Sequence, residues 1–319
     1  MSVKKALSAL PCFKQVTSIS MVTGGFSHAC FKVEADDACY FAKMTAGIQL
    51  ETELTLAKVA AVNNLTPRIF YHDEQWLISH YVEGENLAVK EIPLIEKITT
   101  SIKLMVTFHQ LAASSSEQVN IEKISPLNIA GTINGLFHIG NQPTLITAIT
   151  MLGRKIAALI APAMNNTTHS LLCCHSDINF SNVLTSNNKG HDTNAWLIDF
   201  EYACFAPAEF DLAMLTAVNN IPLTLTDDII GCYEQRAGRA INKSLLHAFI
   251  LFCYLINGLW YFNSALDNVL NLTDETKEEM YKLATEQWQA FDTLYRDLNL
   301  SKNPTVLMQF ISPFGYKTH

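Results

Sequence analysis

Leu171-Leu-Cys-Cys-His175-Ser-Asp177-Ile-Asn-Phe-Ser-Asn182-Val-Leu184, followed after a turn-rich gap by Ala195-Trp-Leu-Ile-Asp199-Phe-Glu-Tyr-Ala203, is the stretch that decides how this chain is read. It spells H-x-D-x-x-x-x-N and then an apolar run into D-F. Phosphoryl transfer to an alcohol asks little of a protein: a carboxylate to orient the hydroxyl, two oxygen ligands for Mg²⁺, and a lysine on the phosphates that stay behind. Asp177 suits the first task. Asn182 and Asp199 suit the second, because Mg²⁺ takes hard oxygen donors. The turn between Asp177 and Asn182 lets both side chains face one site. Asp199 ends the strand-like run Trp196-Leu197-Ile198 and would project from its end. His175 stands beside Asp177 as a catalytic-loop candidate and is read as supporting the loop by hydrogen bonds. Any one of these polar residues alone reads as a turn or cap residue. Their joint order and spacing, each beside an apolar strand, points to chemistry.

The two loops resemble the catalytic and metal loops of the aminoglycoside phosphotransferase and choline kinase superfamily, where the patterns are H-[GN]-D-x-x-x-x-N and D-[FW]-E. Here they read His175-Ser176-Asp177 and Asp199-Phe200-Glu201. Tyr202-Ala203 and Pro207-Ala208-Glu209-Phe210-Asp211-Leu212-Ala213 are similar to that superfamily's E-Y-A and P…F-D-L-A run. The resemblance extends from about Thr23 to about Phe262 and is closest to bacterial choline/ethanolamine kinase-like members. It implies an α+β, protein-kinase-like bilobal fold with a small antiparallel-sheet N-lobe and a larger, mostly helical C-lobe. It also implies ATP and Mg²⁺ as cofactors. Ser176 stands where Gly or Asn is commoner. The metal motif lacks the glycine of protein kinases and no A-P-E motif follows, so a protein substrate is not expected.

The same resemblance assigns an ATP roof. Thr23-Gly24-Gly25-Phe26-Ser27-His28 looks like its short Gly-Gly loop, with Gly24, Gly25 and Ser27 at the phosphates. Glycine lets backbone N–H groups come close to phosphate oxygens. Lys43 falls where the phosphate-binding lysine sits, late in a strand and ahead of a helix. Glu53 matches the helix glutamate that pairs with it. Glu51 competes for that role, or else serves the helix N-terminus. Trp76-Leu-Ile-Ser-His-Tyr-Val-Glu-Gly84 resembles the hinge between lobes, with His80 and Tyr81 nearest the adenine. His109 reads as a core histidine.

The acceptor is less constrained. Glu201 and Asp211 bring carboxylates near the metal loop, and Leu255-Ile-Asn-Gly-Leu-Trp260-Tyr261-Phe262 is similar to the G-L-W helix of choline kinases. An aromatic ring near carboxylates attracts an ammonium group by cation–π interaction. Trp260 is therefore an acceptor candidate, with core packing as the competing reading, and Asp211 has loop support as its own. These features lean towards a small cationic alcohol such as choline or ethanolamine. An aminoglycoside, thiamine or another small alcohol is the alternative, as is a non-catalytic nucleotide-binding protein of the same fold.

Working outward, residues 15–22, 28–34, 38–44, 67–71 and 76–81 read as short strands joined by turns. Residues 48–63 read as a helix. From Ile92 the periodicity is helical, with helices expected near 98–112, 146–164, 226–239, 243–266 and 274–298 and a strand-and-turn island over 171–211. The change of character near Val82-Glu83-Gly84-Glu85 sets an expected boundary: a nucleotide-binding lobe over 1–84 and a helical lobe over 85–319.

Composition agrees. The 319 residues are 49% hydrophobic and 16% charged, enough for a large core and unlike a disordered chain. Lys plus Arg is 22 against 30 for Asp plus Glu, a net charge of −8. That disfavours nucleic acid as a partner. The eight cysteines include no C-x-x-C pair and lie mostly in apolar runs. They read as reduced thiols in a cytoplasmic protein. Residues 245–262 form the most membrane-like segment. His247, Asn257 and Gly258 within it favour a buried core helix over insertion.

Overall fold

The computed structural model describes residues 3–22, 29–45, 47–114, 124–137, 143–164, 171–186, 195–267 and 272–311. Short apolar runs broken by turn residues become the first sheet. Strands β1 (Val16–Met21), β2 (Cys30–Ala35) and β3 (Ala38–Met44) are antiparallel. Asp36 and Asp37 join β2 to β3 with φ of 51° and 62°, the left-handed backbone of a two-residue hairpin. Asp36 holds the turn by accepting the backbone N–H groups of Lys14 and Gln15. Strands β4 (Ile69–His72) and β5 (Trp76–His80) complete the order β1-β2-β3-β5-β4. Helix α1 (Val3–Ser8) and the turn after it cover one face, where Leu7 and Phe13 pack with Phe31, Val33, Tyr40, Trp76 and Ile78. Helix α2 (Gly47–Val62) follows β3.

A second sheet carries the motif residues. It consists of β6 (Gly84–Asn86), β8 (Val183–Ser186) and β9 (Ala195–Leu197), in the order β6-β8-β9, with β7 (Leu172–Cys174) ahead of β8 in the chain. A side chain at residue 84 would place Cβ 1.9 Å from the carbonyl oxygen of Thr185, so only glycine allows β6 to reach β8. Helix α3 (Leu94–Ser114) packs on β7 and β9. These elements form one compact unit, Met1–Ser125 with Leu172–Cys204. The boundary expected at residue 84 falls inside it, because β6 pairs with a strand about 100 residues later.

The other unit is Pro126–Leu171 with Phe205–His319, and it is helical. It contains α4 (Ile129–Gly135), α5 (Pro143–Met164), α6 (Ala208–Val218), α7 (Thr226–Ala237), α8 (Lys243–Leu266), α9 (Asp274–Asp297) and α10 (Met308–Ile311). Side-chain caps start three of them: Asn128 accepts from the N–H of Gly131, Asn242 from that of Leu245 and Thr273 from that of Thr276. Gly238, at φ 63°, ends α7. Helix α6 corrects the expected strand-and-turn island. Residues 208–217 are all buried, and a helix without a polar face shows no amphipathic period. Helices α5 and α8 are each long and apolar enough to cross a membrane. Helix α8 spends its apolar surface on α5, α6 and α9, as a core helix does.

Candidate active site

Strand register assembles the catalytic loop. Val183 pairs with Leu197, so Asn182 lies opposite Ile198, whose N–H donates to the Asn182 carbonyl at 3.0 Å. Asn182 and Asp199 thereby leave the same end of the β8–β9 ribbon. The Asn182 side-chain amide donates to the Asp177 carboxylate at 2.8 Å and to the Asp177 main-chain carbonyl at 3.1 Å. His175 is wholly buried against the rings of Phe108 and Phe200. Its Nδ1 accepts the Asp177 N–H at 3.3 Å, which leaves Nε2–H to donate to the Ile198 carbonyl at 3.0 Å. One imidazole thus ties the residue before Asp199 to the backbone of Asp177, the supporting role expected for it.

Ser176 and Asp199 both have left-handed backbones, with φ of 69° and 71°. Glycine and asparagine tolerate that region best. This explains the Gly or Asn preference at position 176. Ser176 also meets Cys204, with Oγ and Sγ 3.2 Å apart.

Lys43 comes from β3, more than 150 residues before Asp199, and its Nζ meets three carboxylates: Glu53 at 2.9 Å, Asp199 at 2.6 Å and Glu201 at 2.9 Å. Of the two competing acids on α2, Glu53 is the partner of Lys43. Burial by itself would push the lysine pKa down; the three carboxylates outweigh it and hold it above the ordinary value. Burial pushes the Glu53 carboxyl up to about 7, against the pull of Lys43 and with Asp199 and Glu201 adding repulsion. Glu201, expected near the acceptor, pairs with Lys43, with only 1% of its side chain exposed. Oxygen atoms of Glu53, Asp199 and Glu201 lie within 4.8 Å of one another. The Lys43 ammonium sits among them, and Asp199, the most exposed of the three, together with the nearby Asn182 offers oxygen donors of the kind a divalent cation takes.

Over residues 19–291 the chain matches the choline/ethanolamine kinase family. It belongs to that family. No curated protein matches it in sequence. Among solved structures, choline kinase from Cryptosporidium parvum Iowa II shares 15% identity at a TM-score of 0.66, over 93% of this chain and 92% of its own. A choline/ethanolamine kinase family protein from Mesorhizobium loti shares 18% at 0.65, over 92% and 95%. Spectinomycin phosphotransferase, solved with ADP and spectinomycin, shares 14% at 0.59, over 85% and 89%. The fold is therefore protein-kinase-like. As a choline/ethanolamine kinase family member, the chain is a nucleotide-using small-molecule kinase, a phosphotransferase with an alcohol group as acceptor.

Tyr202 is the residue of this kinase that sequence reasoning passed over, although it stands inside the E-Y-A match. The residue is 46% exposed. Burial raises its phenol pKa, a hydrogen bond to Glu201 raises it further, and Asp199 and Asp177 act in the same direction. Cys30 is also near. It pairs with Lys43 across β2–β3, so their side chains share a face, and burial pushes its thiol up to about 11.

The remaining expected residues fall elsewhere. Gly24, Gly25 and Ser27 lie outside the described residues. The backbone N–H groups of His80 and Tyr81 are taken by the carbonyls of Arg68 and Cys39. The His80 ring packs on Tyr40 and Phe70, and Lys32 lies over the Tyr81 ring. Both residues are thus tied into the sheet. Asp211, in the first turn of α6, has no exposed surface, and its charge helps raise the pKa of the Cys253 thiol, which burial raises most. Trp260 on α8 is half-buried, edge-on to Tyr261 at 5.2 Å. The nearby glycine has a packing cause: a Cβ at Gly258 would sit 2.3 Å from the Trp288 indole.

Proposed function

We propose that the chain transfers the γ-phosphoryl group of ATP to the hydroxyl of a small cationic amino alcohol of the choline or ethanolamine kind. The observation that carries this is the half-exposed Tyr202, its phenol hydrogen-bonded to Glu201 and close enough to Asp199 and Asp177 to feel their charge. An ammonium group favours an aromatic face near negative charge.

Asp177 is the group that orients the acceptor hydroxyl and draws off its proton as the oxygen attacks in line. The Asn182 amide, 2.8 Å from that carboxylate, fixes its direction. His175 is a positioning residue, holding the Asp177 backbone against Ile198. Lys43 steadies the phosphates that remain with the nucleotide, and Glu53 aims it. Asn182 and Asp199 would hold Mg²⁺, which when bound neutralises phosphate charge. None of the eight cysteines is joined in a disulfide, which supports work in a reducing cytoplasm. The burial of α8 supports a protein that does not insert into a membrane.

The test is ADP release from Mg-ATP across choline, ethanolamine, thiamine, an aminoglycoside, homoserine and methylthioribose. Choline or ethanolamine should give the strongest signal. Preference for the aminoglycoside would move the substrate class while leaving the kinase in place. In Asp177→Asn, turnover should fall by about 100-fold or more with ATP binding retained. Full turnover in that variant would remove Asp177 from its role.

A further inference from the structure

We propose that Asp199 is an exchangeable partner of Lys43, so that this chain binds a nucleotide tightly only when a divalent cation arrives with it. The inference rests on the reading of Lys43 as the phosphate lysine. A lysine ammonium has three N–H donors and no more. In this structure all three are engaged by carboxylates, at 2.9, 2.6 and 2.9 Å. None remains for a phosphate oxygen, so one carboxylate has to let go.

The three are not equal. The side chains of Glu53 and Glu201 are 5% and 1% exposed, whereas that of Asp199 is 32% exposed. Releasing either glutamate would strand a carboxylate in the interior, which is expensive. Asp199 already reaches solvent, and its left-handed backbone, φ 71°, is a conformation the surroundings impose on it. It is the partner that can leave.

A nucleotide on its own gives Asp199 no reason to leave. Its phosphates bring more negative charge towards a carboxylate cluster. A divalent cation gives the Asp199 carboxylate a new partner and returns one Lys43 donor to the phosphates. Metal and nucleotide then favour each other by the same factor, as linkage requires. Asp199 is in this sense a two-position residue: on Lys43 in the nucleotide-free chain, on the metal in the loaded one.

Calorimetric titration of the whole chain with ADP at pH 8, in Mg²⁺ or in EDTA, tests this without reference to turnover. The wild type should bind ADP well in Mg²⁺ and poorly in EDTA. In Asp199→Asn the affinity for ADP in EDTA should rise by about tenfold or more, the scale of one charge-assisted hydrogen bond, and most of the gain from Mg²⁺ should vanish. A folded Asp199→Asn chain that binds ADP in EDTA no better than the wild type overturns the exchange. So does a wild type indifferent to Mg²⁺. Absence of ADP binding by the wild type in both buffers overturns the nucleotide reading itself. A series without mutation gives a second check: in EDTA, affinity should not climb from adenosine through AMP and ADP to ATP, and a steady climb refutes the latch.

Discussion

Lys43 and Gln287 are both buried polar side chains, held in opposite ways. Gln287, on α9, is 1% exposed. Its amide donates to the Ala217 carbonyl at 2.9 Å and to the Asn220 side chain at 2.8 Å, and it accepts from Asn257 at 3.4 Å. The three partners of Gln287 are neutral, and donors match acceptors. Such a network ties α6, α8 and α9 together and has nothing to exchange. Around Lys43, three acids crowd one base. Stability alone does not call for that surplus of negative charge, because each buried carboxylate must be desolvated. The difference separates a site that fastens the fold from one that waits for a ligand.

The largest effect should come from removing the base. Lys43→Met should lower kcat/KM by about 100-fold or more, the scale of losing one electrostatic contact to the transition state. It should also reduce stability by about 3–5 kcal/mol at pH 8, since two buried carboxylates and a partly exposed one lose their cation. Thermal denaturation should show a smaller loss at pH 5, where carboxylates take up protons. An equal loss at both pH values would mean that charge is not what matters there. Gln287→Leu should cost about 1 kcal/mol by removing two donated hydrogen bonds, to the Ala217 carbonyl and the Asn220 side chain, with kcat/KM unchanged. A fall in kcat without a fall in Tm would break the contrast between the two networks.

Glu53 sharpens the contrast through pH. Its pKa is raised from 4.5 to about 7 in the folded chain, so the folded state holds that proton more tightly than the unfolded one. Its contribution to stability is complete below pH 4.5, declines as pH rises, and is gone above about 7. Denaturation curves of Glu53→Gln should lack this decline, so the wild type should lose ground to the variant between pH 5 and 8. The smallest effect belongs to Ser176→Gly. Relieving the left-handed backbone should raise stability by less than about 1 kcal/mol, while Ser176→Ala, which keeps the strain and loses the hydroxyl, should be less stable than the wild type.

Most of the sheet and the long helices were legible because their signals are local. Asp36-Asp37 announces a tight turn, and five expected strands lie within a few residues of β1 to β5. The pairing of Lys43 with Glu53 was implied by the family resemblance, with Glu51 as its competitor, and the ion pair falls to Glu53. Helix α6 was not legible, because it is buried on all sides. The short helices α1 and α4 gave too little periodicity to register. Tyr202 went unnoticed since exposure of a ring is not a property of sequence. The backbone N–H groups of His80 and Tyr81 were committed by strand pairing, which side-chain identities do not reveal.

The sequence by itself determined which chemistry this chain can do: an acid, an amide and a second acid at Asp177, Asn182 and Asp199, in an order and spacing that turn geometry alone would rarely produce. Only the tertiary structure decided how those charges are shared. Glu201 reads as a free carboxylate beside the metal loop, yet it is folded inward onto a lysine 158 residues earlier in the chain. Asp199 is drawn to the same ammonium, 156 residues away. Residue type and spacing set what a group can donate or accept over a few ångströms of chain. Which partner it meets depends on strand register and burial, and in a low-dielectric interior the nearest opposite charge takes it.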